Sequence, residues 1–195
     1  MRAYRDFVVS PIGGRYNNSK KIGNKELVLN TEIYNHQFVN RRARVIATPL
    51  LFSSPINVGD EVVIHHNVFR RWHDVKGREK NSRSYLHDNK YIISEDQVFL
   101  YKQEDWKAVP GYSFIKPLKS IDSFNIDEER PLVGIIKYSD GEFNKGTLVG
   151  YCPKMQCEDF INGERLYRIM NKFITIKYEY QGNEKEYNPS WTQSG

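Results

Sequence analysis

The sequence predicts an all-β protein built as two tandem small β-barrels, the second with shortened loops. Three observations carry this reading. Short runs rich in Val, Ile, Phe and Tyr recur along all 195 residues, separated by clusters of Gly, Pro, Asn, Asp and Ser, which is the pattern of many short strands joined by turns. No stretch of 12 or more residues carries apolar side chains at a convincing helical period. Four blocks of the first half recur in the second half in the same order, the mark of an internal repeat.

In chain order, the expected strands are Asp6 to Ser10, Arg44 to Thr48, Glu61 to His66, Lys90 to Ile93 and Gln97 to Tyr101 in the first copy. The second copy supplies Tyr112 to Lys116, Val133 to Tyr138, Thr147 to Tyr151, Leu166 to Met170 and Phe173 to Tyr180. Turn chemistry fills the breaks: Asn57-Val58-Gly59-Asp60, Ser139-Asp140-Gly141, Asn162-Gly163 and Gln181-Gly182-Asn183 tolerate positive φ or bond their own backbone. Asn162-Gly163, between Phe160-Ile161 and Arg165-Leu166, is the best hairpin signal. Residues 13 to 40 are polar and Asn-rich around the apolar island Leu27-Val28-Leu29, and residues 74 to 90 are dense in Lys, Arg, Asn and Ser. Both read as long loops, which in compact domains tend to carry function.

The repeat is built from paired blocks. Val8 to Ile12 matches Phe114 to Leu118, and Val45-Ile46 matches Ile135-Ile136. Ile56 to Gly59 with Val62 matches Phe143 to Gly146 with Val149, and Tyr91, Ile93, Val98 and Leu100 match Tyr167, Ile169, Ile174 and Ile176. The offsets fall from 106 through 90 and 87 to 76, so the second copy is the first with its loops cut back, most of all the loop holding Leu27. The expected division is a first unit over 1–108, a second over 109–180 and a polar tail over 181–195.

Composition sets outer limits. With 39% hydrophobic and 27% charged residues the chain is ordinary globular material, and its apolar runs are far short of the roughly 20 residues that cross a bilayer. No apolar segment follows the basic N-terminus, so neither a cleaved signal nor a membrane partner is expected, and a cytoplasmic location is. Cys152 and Cys157 are too few for a disulfide framework and read as incidental thiols. The net charge of +5 permits nucleic-acid contact without demanding it.

The blocks carry a family resemblance. A first strand ending in Val8-Val9-Ser10-Pro11, a polar loop with Leu27-Val28-Leu29, the strand Arg44 to Ala47, then Val58-Gly59-Asp60-Glu61-Val62-Val63 and Tyr91-Ile92-Ile93-Ser94-Glu95-Asp96-Gln97-Val98 resemble the GroES co-chaperonin family. The similarity covers residues 5 to 101 well and 112 to 178 in degenerate form. It implies an irregular β-barrel subunit, a ring-like homo-oligomer, possible phage origin, and a loop whose aliphatic motif docks on a group I chaperonin that binds ATP while this chain binds no cofactor. Leu27, Val28 and Leu29 are the positions matching that partner-binding motif. Lys25-Glu26 stands where the family usually has glycines, the short link from Thr48 to Ile56 leaves no room for the roof hairpin of many members, and Ile121 to Phe124 is a poor triplet in the second copy.

Other candidates are weaker. His65-His66 and His73 lack partners at metal-ligand spacing, and neighbouring strand residues face opposite ways, so no metal site is expected. Arg70, Arg71 and Trp72, followed by Lys76, Arg78, Lys80 and Arg83, interleave aromatics with cations as single-strand platforms do. The plainer reading is a solvated basic loop or neighbour contact, and nucleic acid is not an expected partner. No nucleophile with a base, acid pair or phosphate loop is found, so no catalytic residue and no enzyme is expected. The expected function is a co-chaperonin that encloses folding clients; the alternative is a GroES-like barrel repurposed as a structural or assembly protein, such as a virion component.

Overall fold

The computed structural model describes residues 2–17, 19–23, 25–28, 35–121 and 128–187. They are all-β, with three single-turn 3-10 helices at His36–Phe38, Glu95–Gln97 and Asn171–Phe173 among the described residues. The chain divides into two compact units, Met1–Asp105 and Trp106–Gly195. The first unit holds β1 (Phe7–Pro11), β2 (Ser19–Ile22), β3 (Lys25–Val28), β4 (Arg42–Ala47), β5 (Glu61–Ile64), β6 (Arg71–His73), β7 (Glu79–Asn81), β8 (Tyr85–His87), β9 (Lys90–Ile93) and β10 (Val98–Lys102). The second holds β11 (Trp106–Ala108), β12 (Tyr112–Lys119), β13 (Glu129–Ser139), β14 (Leu148–Tyr151), β15 (Cys157–Ile161), β16 (Glu164–Met170) and β17 (Ile174–Tyr178).

Each unit has one large antiparallel sheet, the first adding the two-stranded sheets β2–β3 and β6–β7, and six strands of each large sheet share one order. In the first it runs β10-β5-β4-β1-β9-β8, in the second β17-β14-β13-β12-β16-β15. The register agrees residue by residue: Phe7, Val8 and Val9 oppose Ile93, Ile92 and Tyr91, as Ser113, Phe114 and Ile115 oppose Ile169, Arg168 and Tyr167. The irregularity between Val8 and Val9 recurs between Phe114 and Ile115. One pairing differs from the sequence alignment. Val9 opposes Val45 while Ile115 opposes Ile136, so the offset in this strand is 91 and Val45 matches Ile136. The reason is the inward face: Val45 and Ile136 are both 1% exposed, and a strand keeps its register by what it buries.

The core follows from that register. Ile115, Ile136, Val149, Tyr151, Tyr167 and Ile169 form the main cluster of the second unit. Val9, Val45, Val62, Ile64, Tyr91 and Ile93 hold the matching places in the first and are likewise buried. The turn Asn57 to Asp60 places Gly59 at φ +95, with the Asp60 N–H donating to the Asn57 carbonyl at 3.2 Å, and Gly146 serves the same turn at φ +87. Asn162 and Gly163 both have positive φ, as a two-residue hairpin requires, and join β15 to β16 with Ile161 opposite Glu164.

Charge enters the second unit where the first is apolar or small. Lys116 is 2% exposed, with its Nζ 3.4 Å from Glu164 and 3.9 Å from Glu186. Burial raises the Glu164 pKa, but the Lys137 hydrogen bond and the Lys116 and Lys137 charges outweigh it and hold the carboxyl below its ordinary value. Glu186 reaches this place because residues 185–187, within the stretch read as a polar tail, run beside β12. The Tyr187 N–H donates to the Pro117 carbonyl at 2.9 Å and the Lys119 N–H to that of Lys185 at 2.8 Å.

Asp140 is the polar anchor of the Ser139 to Gly141 turn. It accepts from the Gly111 N–H at 2.7 Å, the Glu142 N–H at 3.0 Å and the Asn171 amide at 3.1 Å. Burial pushes its pKa up, yet these donors prevail and hold it below the usual carboxylate range. A lowered folded pKa means that the contribution is present above the unfolded value of about 3.9 and vanishes as pH falls through the folded one. Asp140→Ala is therefore expected to lower stability by about 1–3 kcal/mol at pH 7. Urea unfolding at pH 7 and below pH 3 checks this, the gap from wild type closing in acid.

Candidate functional site

Two long excursions leave the first sheet, one between β1 and β4 and one between β5 and β9, and their roots lock together. Asn40, 2% exposed, donates from Nδ2 to the Ile12 and Gly14 carbonyls at 2.9 and 2.7 Å and accepts from the Arg42 N–H at 2.8 Å. The Asn17 N–H donates to the Phe38 carbonyl at 2.7 Å, closing the neck above it. Arg15 crosses to the other excursion, donating to the Phe69 carbonyl at 3.2 and 3.0 Å and to Asn81 Oδ1 at 2.7 Å while lying 5.5 Å from the Tyr91 ring centre. The Tyr16 hydroxyl accepts from the Arg71 N–H at 2.8 Å. Arg15→Ala removes hydrogen bonds from a charged group, each contributing about 1.5–3 kcal/mol. Amide hydrogen exchange at residues 36–40 and 68–73 is expected to speed up together in this variant, with β12 to β14 unchanged.

Beyond the neck, β2 and β3 form a two-stranded ribbon with Lys20 opposite Leu27 and Ser19 opposite Val28. Gly23 opens its turn at φ +60. Leu27 and Val28 are 52% and 55% exposed, although consecutive strand residues face opposite ways. Lys25 is exposed as well. Leu29, the third residue of the triplet, lies outside the described residues, as do Asp122 to Phe124. Nothing in a run such as Ser19 to Ile22 announces a strand, because it lacks the apolar alternation and β-branched enrichment by which strands are recognised.

The second excursion contains a ribbon of β6 and β7, with Arg71, Trp72 and His73 opposite Asn81, Lys80 and Glu79. Its root is apolar: Val68 and Phe69 are fully buried, Phe69 meeting the Tyr91 ring edge-on at 4.7 Å. The basic trio separates. Arg71 pairs with Glu79 at 3.0 Å and lies 4.8 Å from the Tyr16 ring centre. Arg70 and Trp72 line one cleft of about 330 Å³ together with Asn67 and Ser82, two residues that carried no signal in the sequence.

The histidines depart from expectation. β5 ends at Ile64, so His65 and His66 are not strand neighbours on opposite faces; their rings stack at 4.3 Å. His36, from the other excursion, stands 5.3 Å from His66. Burial, then the charges of His65, Arg41, His36 and Arg70, hold His66 down to about 4. Among the described residues no group of three or more His, Cys, Asp or Glu is arranged to hold a metal ion. No described helix is long and apolar enough to cross a membrane.

A second cleft of the first unit, about 620 Å³, is lined in part by Ala3, Tyr4, Val8, Leu51, Leu86 and Ile92. Tyr4 and Leu51 stand exposed at its edge. Comparison with protein-family models and with curated proteins finds no match to this chain.

Proposed function

We propose that the chain is a tandem GroES-like co-chaperonin whose β2–β3 ribbon docks on a group I chaperonin. The observation that carries the reading is the placement of Leu27 and Val28: two aliphatic side chains held in solvent on β3, at the open end of the ribbon just beyond the neck that Asn40 and Arg15 hold. Burying such a side chain contributes about 1.5–3 kcal/mol. A ribbon already paired before docking has less to lose in ordering than an open loop. Each unit would be an irregular barrel, and only the first would bear a docking ribbon. The cleft around Tyr4 and Leu51, lined by Arg2, Arg5 and Asp6 as well as apolar side chains, would be covered by a second copy in a ring, which multiplies a weak single-site contact. ATP binding and hydrolysis would belong to the partner.

Native mass spectrometry of the protein, alone and mixed with a host group I chaperonin with and without nucleotide, tests this. A ring that joins the chaperonin only with nucleotide is the expected result. A stable oligomer that ignores the chaperonin overturns it in favour of a structural or assembly role.

A further inference from the structure

We propose that the cleft formed by Asn67, Arg70, Trp72 and Ser82 binds single-stranded nucleic acid, a base stacking on Trp72 and its phosphate held by Arg70. This stands apart from the docking ribbon and does not depend on chaperonin binding. The cleft is the right size for one planar group, at about 330 Å³. Trp72 is 47% exposed, and its Nε1 donates to the Asn81 carbonyl at 3.2 Å, which fixes the ring while leaving a face to the solvent. Aromatic faces take any base, so such a platform binds without sequence preference.

Arg70 supplies the second half. Its side chain lines the cleft and enters no ion pair among the described residues, which leaves the cationic guanidinium for an anion there. The Arg71 Nη1 is taken by Glu79, although its Nε is buried without a partner, and Lys80 lies 3.9 Å from Asp74. The surroundings favour an anion. Arg41 and Arg70, whose charges both bear on neighbouring His66, are cations. Residues 65–90 hold seven Lys or Arg against three Asp or Glu, nearly all of the chain's +5. Lys76, Arg78 and Arg83 are exposed along the same excursion, as a track for a polyanion backbone requires.

The test is fluorescence anisotropy of a labelled 12-residue oligothymidylate with the full chain. Binding is expected at 50 mM salt, weakening by tens of fold at 300 mM, since about three phosphate contacts on a single strand give a log–log slope near −2. Trp72→Ala and Arg70→Gln are each expected to weaken binding about tenfold or more, the second also flattening the salt slope. Lys172→Gln in the second unit should change nothing. Circular dichroism confirms folding, and Lys76→Gln/Arg78→Gln, at exposed residues only, gives an independent loss of about fivefold should either cleft variant unfold. The proposal is overturned by absence of binding at 50 mM salt, or by folded variants that all bind like wild type. Competition by polyglutamate equal to that by oligonucleotide would also overturn it, making this an acidic-peptide site, and competition by millimolar inorganic phosphate alone would reduce it to a simple anion site.

Discussion

Leu27→Asp is expected to abolish capture by a group I chaperonin while the protein keeps its oligomeric state and its melting temperature to within about 2 °C. The two halves of that statement have different causes. Leu27 is 52% exposed on β3, and substitutions at such positions shift stability by no more than about 0.5 kcal/mol, a degree or two in a chain of this size. At a docking groove the same change forfeits the burial of an aliphatic side chain and forces a carboxylate out of water, a loss of more than about 100-fold for one site. Repeated around a ring, the loss exceeds what avidity can recover. Val28→Asp probes the opposite face of the same strand end and should also lose binding where the groove closes around the strand. Ile121→Asp is the control: it is exposed in the short connection of the second unit that matches the first unit's long one, and should leave chaperonin binding intact. Pull-down on the chaperonin with nucleotide present reads all three, and retention of binding by both Leu27→Asp and Val28→Asp ends the docking assignment.

What the sequence made legible was whatever has an inside. Strands β1, β4, β5, β9 and β10 and their partners β12, β13, β14 and β16 announce themselves because each carries apolar side chains into the core, and the matched cores Val9 and Ile115 or Tyr91 and Tyr167 repeat with it; β17, exposed beyond Ile174, is marked by strand-favouring residue types alone. The one slip, Val45 set against Ile135 when the structure sets it against Ile136, arose where two apolar residues stand side by side and only the inward one fixes the register. The ribbons β2–β3 and β6–β7 were illegible for the opposite reason. They lack apolar alternation, and the side chains of β7 are exposed throughout, so Lys25-Glu26 and Glu79-Lys80-Asn81 read as loop. The site was half visible. Leu27, Val28, Arg70 and Trp72 stand out by type, but Arg15 and Asn40 hold the neck through bonds to backbone carbonyls, and a carbonyl leaves no trace in residue type. The approach of His36 to His66 depends on where β5 stops, one residue before the pair.

Gly134→Ala is expected to be the costliest single methyl in the protein, about 3 kcal/mol or more. Gly134 lies in β13 between Pro117 and Val149, and a Cβ there would stand 2.5 Å from Ile115 Cγ2 and 2.5 Å from the Lys116 carbonyl oxygen. A backbone oxygen cannot swing aside, so β12 and β13 would have to part. The matching residue of the first unit is Ala43, which is fully buried between Pro11 and Val62 in the same register. The methyl fits there beside Val9 and Ser10, whereas the second unit has the longer Ile115 and a buried Lys116 in their places. Each unit thus balances volume between neighbouring strands in its own way, and the glycine is the second unit's share of that balance. Ile115→Val added to Gly134→Ala should recover part of the loss but not all, since the carbonyl remains. Gly150→Ala is a lesser case: its Cβ would meet Tyr178 Cε2 at 2.9 Å and Ile176 Cβ at 3.2 Å, both on the edge strand β17, which can shift away, so the cost should stay below that at Gly134, at about 1–2 kcal/mol. Hydrogen exchange should place the Gly134→Ala damage in β12, β13 and β14 and spare β1, β4 and β5. Wild-type protection in that variant would mean that Gly134 does not sit opposite Pro117, and the shared register of the two units would fall with it.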